Sequence, residues 1–332
     1  MAVIAGLGVY LPSRHHTAAE IAAASGVPEA VVRGKMGLAR KTVPGPEDHT
    51  NRMGVHAARA ALVDAGLAAE ALDVVISITE EHKEYPVWTA GISTAHELGA
   101  TRAYAFDLGQ KCGTAVLGLK LAADMINAEG TQNLLLAGGY RNGDLVSYQD
   151  PNVRFLYNLA AGGGAAVVRR DGPGFEILGA AFRTDGSFSL DVLVPVGGTR
   201  APVNDHNSDQ YRLQVADPAG LRRRLESMSL DNFVAVVEEA CARSGLAPRE
   251  VAYAAVLHMK RSAHARVLAR LSIPAERSIY LEQYGHIGQV DPLLSLMLAR
   301  DQGRLRHGDV CVLMAAGVGY VWNALCVRYR DH

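Results

Sequence analysis

Residues 60–76 read Ala60-Ala-Leu-Val-Asp-Ala-Gly-Leu-Ala-Ala-Glu-Ala-Leu-Asp-Val-Val-Ile76, an alanine-rich helix that ends at Gly66 and leads into an apolar, β-branched strand. The second half of the chain repeats the pattern in Asn232-Phe-Val-Ala-Val-Val-Glu-Glu-Ala-Cys-Ala-Arg-Ser-Gly-Leu246, which precedes another apolar strand at 251–257. The two helix-ending glycines, Gly66 and Gly245, are 179 positions apart. A helix, a glycine stop and a strand therefore occur twice in the same order.

The strand that closes each unit repeats as well. Asn133-Leu-Leu-Leu-Ala-Gly-Gly139 is similar to Val310-Cys-Val-Leu-Met-Ala-Ala-Gly317, and the final glycines are 178 positions apart. Two independent matches at nearly one offset indicate a duplication. We therefore predict two similar halves, residues 1–170 and 171–332, that pack face to face.

Strands and helices alternate along the chain, and the strands are continuous apolar runs. Such runs are typical of a parallel sheet with helices on both faces, which predicts the α/β class. We predict strands at 3–9, 72–79, 104–108, 133–137 and 251–257, and helices at 51–65, 86–98 and 112–127. Ligands of parallel sheets bind at the carboxyl ends of the strands, so functional residues are expected just after Thr79, Leu108, Leu257 and Ala316.

The composition is that of an ordinary globular protein. The chain has 332 residues, of which 49% are hydrophobic and 20% charged, and its net charge of −1 predicts no attraction to nucleic acid or to an anionic membrane. No stretch approaches the roughly 20 apolar residues of a membrane span, and the first residues lack a signal-peptide pattern, so we expect a cytoplasmic protein. The cysteines are too scattered for a disulfide framework or a zinc site, and no metal is expected; they are Cys112, Cys241, Cys311 and Cys326.

Cys112 lies where Tyr104-Ala-Phe-Asp-Leu-Gly-Gln-Lys-Cys-Gly113 passes from a strand into a strongly helical segment. Unpaired N–H groups and the positive end of the helix dipole stabilise a thiolate at such a place, and the thiolate is the nucleophilic form of cysteine. A single cysteine is more often a small buried apolar residue. The position therefore permits a nucleophilic cysteine, and other parts of the sequence are needed to distinguish a nucleophile from a buried apolar residue.

Two histidines and a glycine turn follow other strand ends. His258 comes directly after a strand, His286 lies in the turn Tyr284-Gly-His-Ile-Gly288, and Gly317-Val-Gly319 follows the last repeated strand. A thiolate can take an acyl group, an imidazole can move the proton, and backbone N–H groups can hold the oxyanion. Together these segments predict acyl transfer, whereas each histidine taken alone is more often structural.

Over nearly its whole length the sequence resembles the ketoacyl-ACP synthase III branch of the thiolase-like condensing enzymes. The matching segments are Ile4-Ala-Gly-Leu-Gly-Val-Tyr-Leu-Pro12, Gly34-Lys-Met-Gly-Leu38, the nucleophile motif Ala105-Phe-Asp-Leu-Gly-Gln-Lys-Cys-Gly113, Ala161-Gly-Gly-Gly-Ala-Ala-Val167 and Gly317-Val-Gly-Tyr-Val-Trp322. In Leu257-His-Met-Lys-Arg261, only His258 matches the family's His-Gln-Ala-Asn.

The resemblance implies a thiolase-like fold, with duplicated βαβαβαββ halves in α-β-α-β-α layers. It implies that Cys112 is acylated, that the N–H groups of Cys112 and Gly319 form the oxyanion hole, and that His258 assists thiolate formation or carbonyl binding. It also implies a homodimer whose substrate is an acyl thioester of acyl carrier protein or coenzyme A, with no permanently bound cofactor.

The main departure from the family is His286, which stands where the condensing enzymes have the asparagine of Gly-Asn-Thr-Ser. In those enzymes the asparagine and the histidine bind the thioester carbonyl while malonyl-ACP loses carbon dioxide. Asp291 follows five residues later, near enough to accept the imidazole N–H and fix its tautomer. A Cys112–His286–Asp291 set would deprotonate an alcohol or amine. The alternative is that His286 only donates a hydrogen bond, as asparagine does, and that Asp291 caps the helix before Pro292.

Further features bear on the acyl donor. The tryptophan that stacks on the adenine of coenzyme A in many relatives is absent, with Val31 or Val32 in its place, which favours a carrier-protein thioester without excluding coenzyme A. Two basic groups could meet an acidic carrier protein or the phosphates of coenzyme A, although each is more often a solvated surface; they are Arg33, Lys35, Arg40 and Lys41, and Arg222-Arg-Arg224. Residues 194–217 are predicted to be a long loop and a candidate lid, in which His206 is a weak functional candidate.

We therefore predict a cytoplasmic acyltransferase of secondary metabolism that moves an acyl group through Cys112 to a hydroxyl, amine or thiol acceptor. Two alternatives stay open. One is a decarboxylative ketosynthase that forms a carbon–carbon bond, with His286 in the role of asparagine. The other is a non-catalytic partner subunit of an active homologue, which the retention of Cys112, two histidines and Gly319 argues against.

Overall fold

The chain folds into one α/β structure. A computed structural model describes residues 1–128 and 130–331. Its strands are Ala2–Tyr10 (β1), Arg14–Thr17 (β2), Arg40–Val43 (β3), Val74–Ser77 (β4), Tyr104–Asp107 (β5), Asn133–Tyr140 (β6), Gly162–Arg170 (β7), Gly174–Thr184 (β8), Val192–Leu193 (β9), Gln214–Val215 (β10), Val251–Val256 (β11), Val310–Gly317 (β12) and Val321–Arg330 (β13). Its α-helices are Ala18–Ser25 (α1), Glu29–Val31 (α2), Thr50–Ala65 (α3), Ala90–Leu98 (α4), Thr114–Asn127 (α5), Pro218–Arg243 (α6), Arg261–Arg270 (α7) and Asp291–Asp301 (α8). None of the helices in these two ranges has the length and apolar character of a membrane span.

Nine strands form one mixed sheet in the order β11-β12-β13-β8-β1-β7-β6-β4-β5. Strands β4, β5 and β6 are parallel, as are β11 and β12, whereas β6–β7, β7–β1, β12–β13 and β13–β8 are antiparallel. The central pair β1–β8 is antiparallel as well, so the prediction of a parallel sheet is wrong for five of the eight pairs. The reason is that residues 141–161 and 318–320, which connect β6 to β7 and β12 to β13, contain no α-helix, and parallel neighbours need a crossover.

The strand order repeats about the centre of the sheet. The order β4-β6-β7-β1 on one side corresponds to β11-β12-β13-β8 on the other. The two half-sheets join through β1 and β8, which share only the pairs Val3–Glu176 and Ile4–Phe175. The division of the chain into halves 1–170 and 171–332 stays a prediction.

Helices cover and separate the half-sheets. Helix α3 packs on β1, β6 and β7, and α6 packs on β8 and β13, while α5 and α8 contact each other and strands of both half-sheets. The resulting layers are α-β-α-β-α, which confirms the predicted fold class. The close approach of α3 requires glycine in β1, because a Cβ on Gly8 would lie 2.1 Å from the carbonyl oxygen of Ala57.

The predicted elements occur with small changes at their ends. The strand predicted at 104–108 is β5, but the helix predicted at 86–98 begins only at Ala90, after Val87 has taken a φ of 53°. Residues 194–217 are mostly irregular, as predicted, and contain one short 3-10 turn and β10. Cys112, His258 and Gly317-Val-Gly319 lie at or just after the ends of β5, β11 and β12, as predicted. The prediction that His286 follows a strand is wrong, because every element between β11 and β12 is a helix or a turn.

Candidate active site

Cys112 lies in a single 3-10 turn, Lys111–Gly113, between β5 and α5, so the helix itself begins two residues later than predicted. The turn is held by Thr114, whose Oγ1 donates to the carbonyl of Lys111 at 2.6 Å and accepts the N–H of Gln110 at 2.8 Å. The thiol therefore sits just before the N-terminus of a 14-residue helix, where the helix dipole favours a thiolate. Cys112 is partly accessible.

His286 and Asp291 form a chain of hydrogen bonds with Cys112. The imidazole Nε2 of His286 lies 3.2 Å from Sγ of Cys112, and Nδ1 lies 2.5 Å from Oδ2 of Asp291. Because a carboxylate only accepts, Nδ1–H donates to it and Nε2 faces the thiol. The structure thus brings these three predicted residues together, and their catalytic roles stay predictions.

The charges of this set favour transfer of the thiol proton to the imidazole. Burial lowers the pKa of His286, but the carboxylate of Asp291 and then Cys112 outweigh burial and hold that pKa well above its ordinary value of 6.5. Burial raises the pKa of the Cys112 thiol, and the imidazole partly offsets this effect. An imidazole of such basicity can accept the proton and then stabilise the thiolate as a cation beside it.

Asp291 connects both histidine-bearing segments. It is fully buried, and in addition to the imidazole it accepts the backbone N–H of Ile287 at Oδ1 and that of His258 at Oδ2, each at 2.8 Å. The alternative in which Asp291 caps α8 is wrong, because the N-cap residue is Val290 and Asp291 is the first residue of the helix. The carboxylate instead fixes the turn that carries His286.

His258 is buried, and both of its ring nitrogens are hydrogen-bonded. Its Nε2–H donates to the carbonyl of Gly37 at 3.2 Å, and its Nδ1 accepts a hydrogen bond from Nδ2 of Asn158 at 3.0 Å. Burial lowers the pKa of His258 to about 4, which agrees with a neutral ring in this tautomer. The predicted role of His258 stays a prediction. The sequence carries no motif that identifies Asn158.

The end of β12 and the turn that follows it pack against Cys112. A Cβ on Gly317 would lie 3.0 Å from the backbone nitrogen of Cys112 and 2.9 Å from Cβ of Lys111, so a larger residue would displace the turn at Cys112. Gly319 follows with a φ of 130°, which favours glycine, and a Cβ there would meet no described atom within 4 Å. The oxyanion role of Gly319 stays a prediction.

Three buried polar residues that the sequence analysis missed lie near the thiol and the imidazole. The ring of Tyr140 lies 5.9 Å from that of His286, and burial, followed by the charges of Cys112 and Glu80, raises the pKa of Tyr140 well above 10. Gln289 donates from Nε2 to the carbonyl of Gly139 at 3.0 Å, and Glu80 donates its backbone N–H to the same oxygen at 3.3 Å. The position of Glu80 directly after Thr79, at a predicted strand end, is the feature of the sequence that indicates a site residue there.

Other candidates lie outside this set. The prediction that Lys41 belongs to a solvated basic surface is wrong. Its side chain is 2% exposed and donates to the carbonyl of Leu159, and burial lowers its pKa to about 7. The remaining predicted basic residues, Arg33, Lys35, Arg40 and Arg222-Arg-Arg224, are exposed apart from Arg224, which is partly buried. His206 is exposed. Within residues 1–128 and 130–331, no group of three or more His, Cys, Asp or Glu side chains is placed to hold a metal ion.

Two family models match the chain. The model described as 3-oxoacyl-[acyl-carrier-protein (ACP)] synthase III matches residues 106–186, and the model of the C terminal of the same synthase matches residues 241–329. Cys112 lies in the first match. The second contains the remaining predicted site residues, which are His258, His286, Asp291 and Gly319.

The similarity extends over the whole chain. The beta-ketoacyl-[acyl-carrier-protein] synthase III of Roseiflexus sp. (strain RS-1) is 28% identical over 334 residues, which cover 99% of this chain and 98% of that protein. The structure of 3-oxoacyl-(acyl carrier protein) synthase III from Pseudomonas aeruginosa PAO1 matches with a TM-score of 0.86 at 23% identity, over 99% of this chain and 98% of that chain. The priming beta-ketosynthase from the R1128 polyketide biosynthetic pathway matches with a TM-score of 0.86 at 21% identity, over 100% and 97%. These likenesses confirm the thiolase-like fold.

Proposed function

Since the chain belongs to the 3-oxoacyl-[acyl-carrier-protein] synthase III family of acyl-transferring enzymes, we propose that it transfers an acyl group through Cys112 to a hydroxyl, amine or thiol acceptor. The donor is a thioester of acyl carrier protein or coenzyme A. The observation that carries the proposal is the continuous chain from Cys112 Sγ through the imidazole of His286 to the carboxylate of Asp291. The protein is expected to act in the cytoplasm, in secondary metabolism.

In the first half-reaction His286 Nε2 takes the proton of Cys112, and Sγ attacks the carbonyl carbon of the donor thioester. The new C–S bond forms as the bond to the donor sulfur breaks, and the imidazolium returns the proton to the departing thiolate. The N–H groups of Cys112 and Gly319 are proposed to hold the oxyanion of the tetrahedral intermediate. The enzyme is left as the Cys112 thioester.

In the second half-reaction the acceptor takes the place of the departed thiol. His286 Nε2 removes the proton from the acceptor O–H, N–H or S–H as that atom attacks the thioester carbonyl. The bond from carbon to Cys112 Sγ then breaks, and the proton passes from the imidazolium to the sulfur. The acylated acceptor leaves, and the free thiol of Cys112 is restored.

The difference between an imidazole and an amide supports this chemistry. With Nδ1–H donated to Asp291, His286 presents a lone pair at Nε2, which suits removal of a proton. An asparagine amide can donate N–H to an enolate oxygen but has no basic nitrogen that could take up a proton. Both ring nitrogens of His258 are hydrogen-bonded, so we propose that His258 positions Asn158 and the backbone at Gly37 and, through them, assists thiolate formation or carbonyl binding.

The second candidate is a decarboxylative ketosynthase, which the names of the relatives favour. We propose to load the wild type, Cys112→Ala and His286→Asn with hexanoyl-CoA or hexanoyl carrier protein and to follow the adduct by intact-mass spectrometry. Release of carbon dioxide from malonyl carrier protein is measured in parallel. His206→Asn, which makes the same replacement at an exposed loop residue, is the control.

The proposal predicts a Cys112-dependent adduct, transfer to heteroatom acceptors without loss of carbon dioxide, and a fall in transfer of about 100-fold or more in His286→Asn. Acyl-dependent release of carbon dioxide by the wild type would instead establish the ketosynthase. A wild type that forms no adduct from either donor would be a non-catalytic partner subunit.

A homodimer is part of the proposal and rests on the edge of the sheet. Strand β5 ends the sheet, and apolar side chains beside it are exposed, among them Tyr85, Val87, Ile92 and Tyr104. Pairing of two such edges would cover both the open backbone groups and the apolar surface. Sedimentation at micromolar concentration should show a dimer, and Tyr104→Glu should shift the protein towards a monomer.

A further inference from the structure

The charged groups around the nucleophile are paired, with one exception. His286 is paired with Asp291, and Lys111, the neighbour of Cys112, lies 2.6 Å from the carboxylate of Glu81. Glu80 is 4% exposed, and neither of its carboxyl oxygens accepts a hydrogen bond from any residue in the described part of the chain. Lys111 acts on Glu80 only through its charge, so the carboxyl oxygens of Glu80 remain free to accept a donor that a ligand brings.

Glu80 lies within electrostatic reach of the reacting groups. Its charge raises the pKa of the Cys112 thiol after the larger effect of burial, and the charge of His286 in turn favours ionisation of Glu80. Its backbone shares the carbonyl of Gly139 with Gln289, which is three residues from His286. The unpaired carboxyl therefore belongs to the surroundings of the nucleophile and not to a separate surface.

Several residues of the candidate site carry buried acceptor atoms that lack a donor. In residues 1–128 and 130–331, the buried acceptor atoms without a hydrogen-bond donor include both carboxyl oxygens of Glu80, Oε1 of Gln289 and Oδ1 of Asn158, which contacts His258. A buried acceptor without a donor is costly, so a ligand that brings donors is favoured there. An ammonium group brings three donors and a positive charge, an alcohol brings one donor, and a carboxylate brings none.

We infer that Glu80 binds the ammonium group of a primary amine and removes its first proton, so that the acceptor of the acyl group is an amine. This inference rests on the proposed transfer from Cys112 to a heteroatom and selects one of its three acceptor classes. Glu81, which is exposed, and Lys111, which is partly exposed, form an ion pair beside Glu80, and we propose that the amine reaches the carboxyl when this pair opens.

The proton balance requires two bases, and the site provides two. The carboxylate of Glu80 takes one proton from R–NH3⁺ and leaves R–NH2, whose lone pair attacks the thioester carbonyl of acyl-Cys112. The C–N bond forms and the C–S bond breaks, while His286 takes the second proton and delivers it to Sγ. The products are an amide, the free thiol and a protonated Glu80, which returns its proton to solvent.

The environment of Glu80 suits this exchange. Burial and, secondarily, the neighbouring Glu81 raise the pKa of Glu80 to about 8. An alkylammonium has a pKa of about 10, so a proton moves between the two groups at a modest cost. A solvated carboxylate with its ordinary pKa of 4.5 would bind the ammonium but would be a far weaker base towards it.

The test compares two acceptors of the same size. Wild type, Glu80→Gln and Glu97→Gln, a control at an exposed glutamate of α4, are loaded from hexanoyl-CoA or hexanoyl carrier protein and desalted. Each acyl-enzyme is then mixed with propylamine or 1-propanol, and loss of the Cys112 adduct is timed by intact mass. Unfolded acyl-enzyme measures the uncatalysed reaction with each acceptor.

We expect the wild type and Glu97→Gln to discharge to propylamine at least about tenfold faster than to 1-propanol. Glu80→Gln should load normally and lose this preference, because its rate with propylamine alone falls. General damage to the site would slow both acceptors alike. Discharge of the wild type to neither acceptor, equal discharge to both, or a preference that survives in Glu80→Gln would overturn the inference. Failure of the proposed function is a different result, namely absence of the adduct or discharge coupled to loss of carbon dioxide from malonyl carrier protein.

Discussion

Replacing Glu80 by glutamine should make the protein more stable at neutral pH and change its stability little at pH 5. Burial and Glu81 hold the pKa of Glu80 at about 8 in the folded protein, whereas its ordinary value is 4.5. A raised pKa means that folding favours the protonated form. The favourable contribution is fully present below about pH 4.5 and is lost as the pH rises through 8.

The size of the effect follows from these two values. Raising a pKa from 4.5 to about 8 means that folding favours the protonated form over the ionised form by a free energy of about 5 kcal/mol. At pH 7 about 3 kcal/mol of this has been lost from the wild type, and at pH 5 less than about 1 kcal/mol. Glutamine resembles the neutral acid at every pH, so Glu80→Gln should exceed the wild type in unfolding free energy by these amounts.

Urea unfolding at pH 5, 7 and 8.5 measures the difference, with fluorescence of the two tryptophans as the signal. Comparison of the variant with the wild type at each pH cancels the titration of all other groups. Glu97→Gln should show no such trend, because that side chain is exposed. A difference between wild type and Glu80→Gln that does not grow from pH 5 to 8.5 would refute the burial of the carboxyl without a hydrogen-bond donor.

Two substitutions test the nucleophile and its base. Asp291→Asn should lower the pKa of His286 by removing its carboxylate partner. Acylation of Cys112 at pH 7, measured by rapid-quench mass spectrometry, should become slower by about 100-fold or more. An unchanged rate would refute the proposed role of the Cys112–His286–Asp291 triad. Gly317→Ala should slow the same acylation at least about tenfold, because the added Cβ would lie 3.0 Å from the Cys112 nitrogen, and normal acylation would show that the turn can move freely.

The fold could be predicted because its signals are local. A helix that ends at Gly66 in a left-handed conformation, and again near Gly245, is written in a few neighbouring residues, and so are the apolar strands that follow. The direction of β7 and β13 could not be read in the same way. It depends on connections without a helix, and the apolar runs of these strands look alike whether their neighbours are parallel or antiparallel.

The site could be predicted only where its residues share a motif or a strand end. Cys112 met both conditions, whereas His286 and Asp291 were found through the motif alone, and the structure joins all three. The role of Asn158 depends on its contact with His258, 100 positions away, and the burial of Lys41 on its contact with Leu159, 118 positions away. Such contacts leave no periodicity in the sequence, so a buried lysine looked like part of a basic surface.

The identity of the residue at 286 matters because Asp291 leaves it only one free nitrogen. The carboxylate accepts N–H groups from Ile287, His258 and the His286 ring, so the turn, the strand end and the imidazole are fixed together. Nε2 then has no other described partner than Cys112 Sγ, at 3.2 Å. A site arranged in this way offers a proton acceptor where a decarboxylating enzyme needs a donor, and the unpaired carboxyl of Glu80 adds a second acceptor nearby. Both features favour a reaction that must remove protons from its acceptor over one that must stabilise a carbanion.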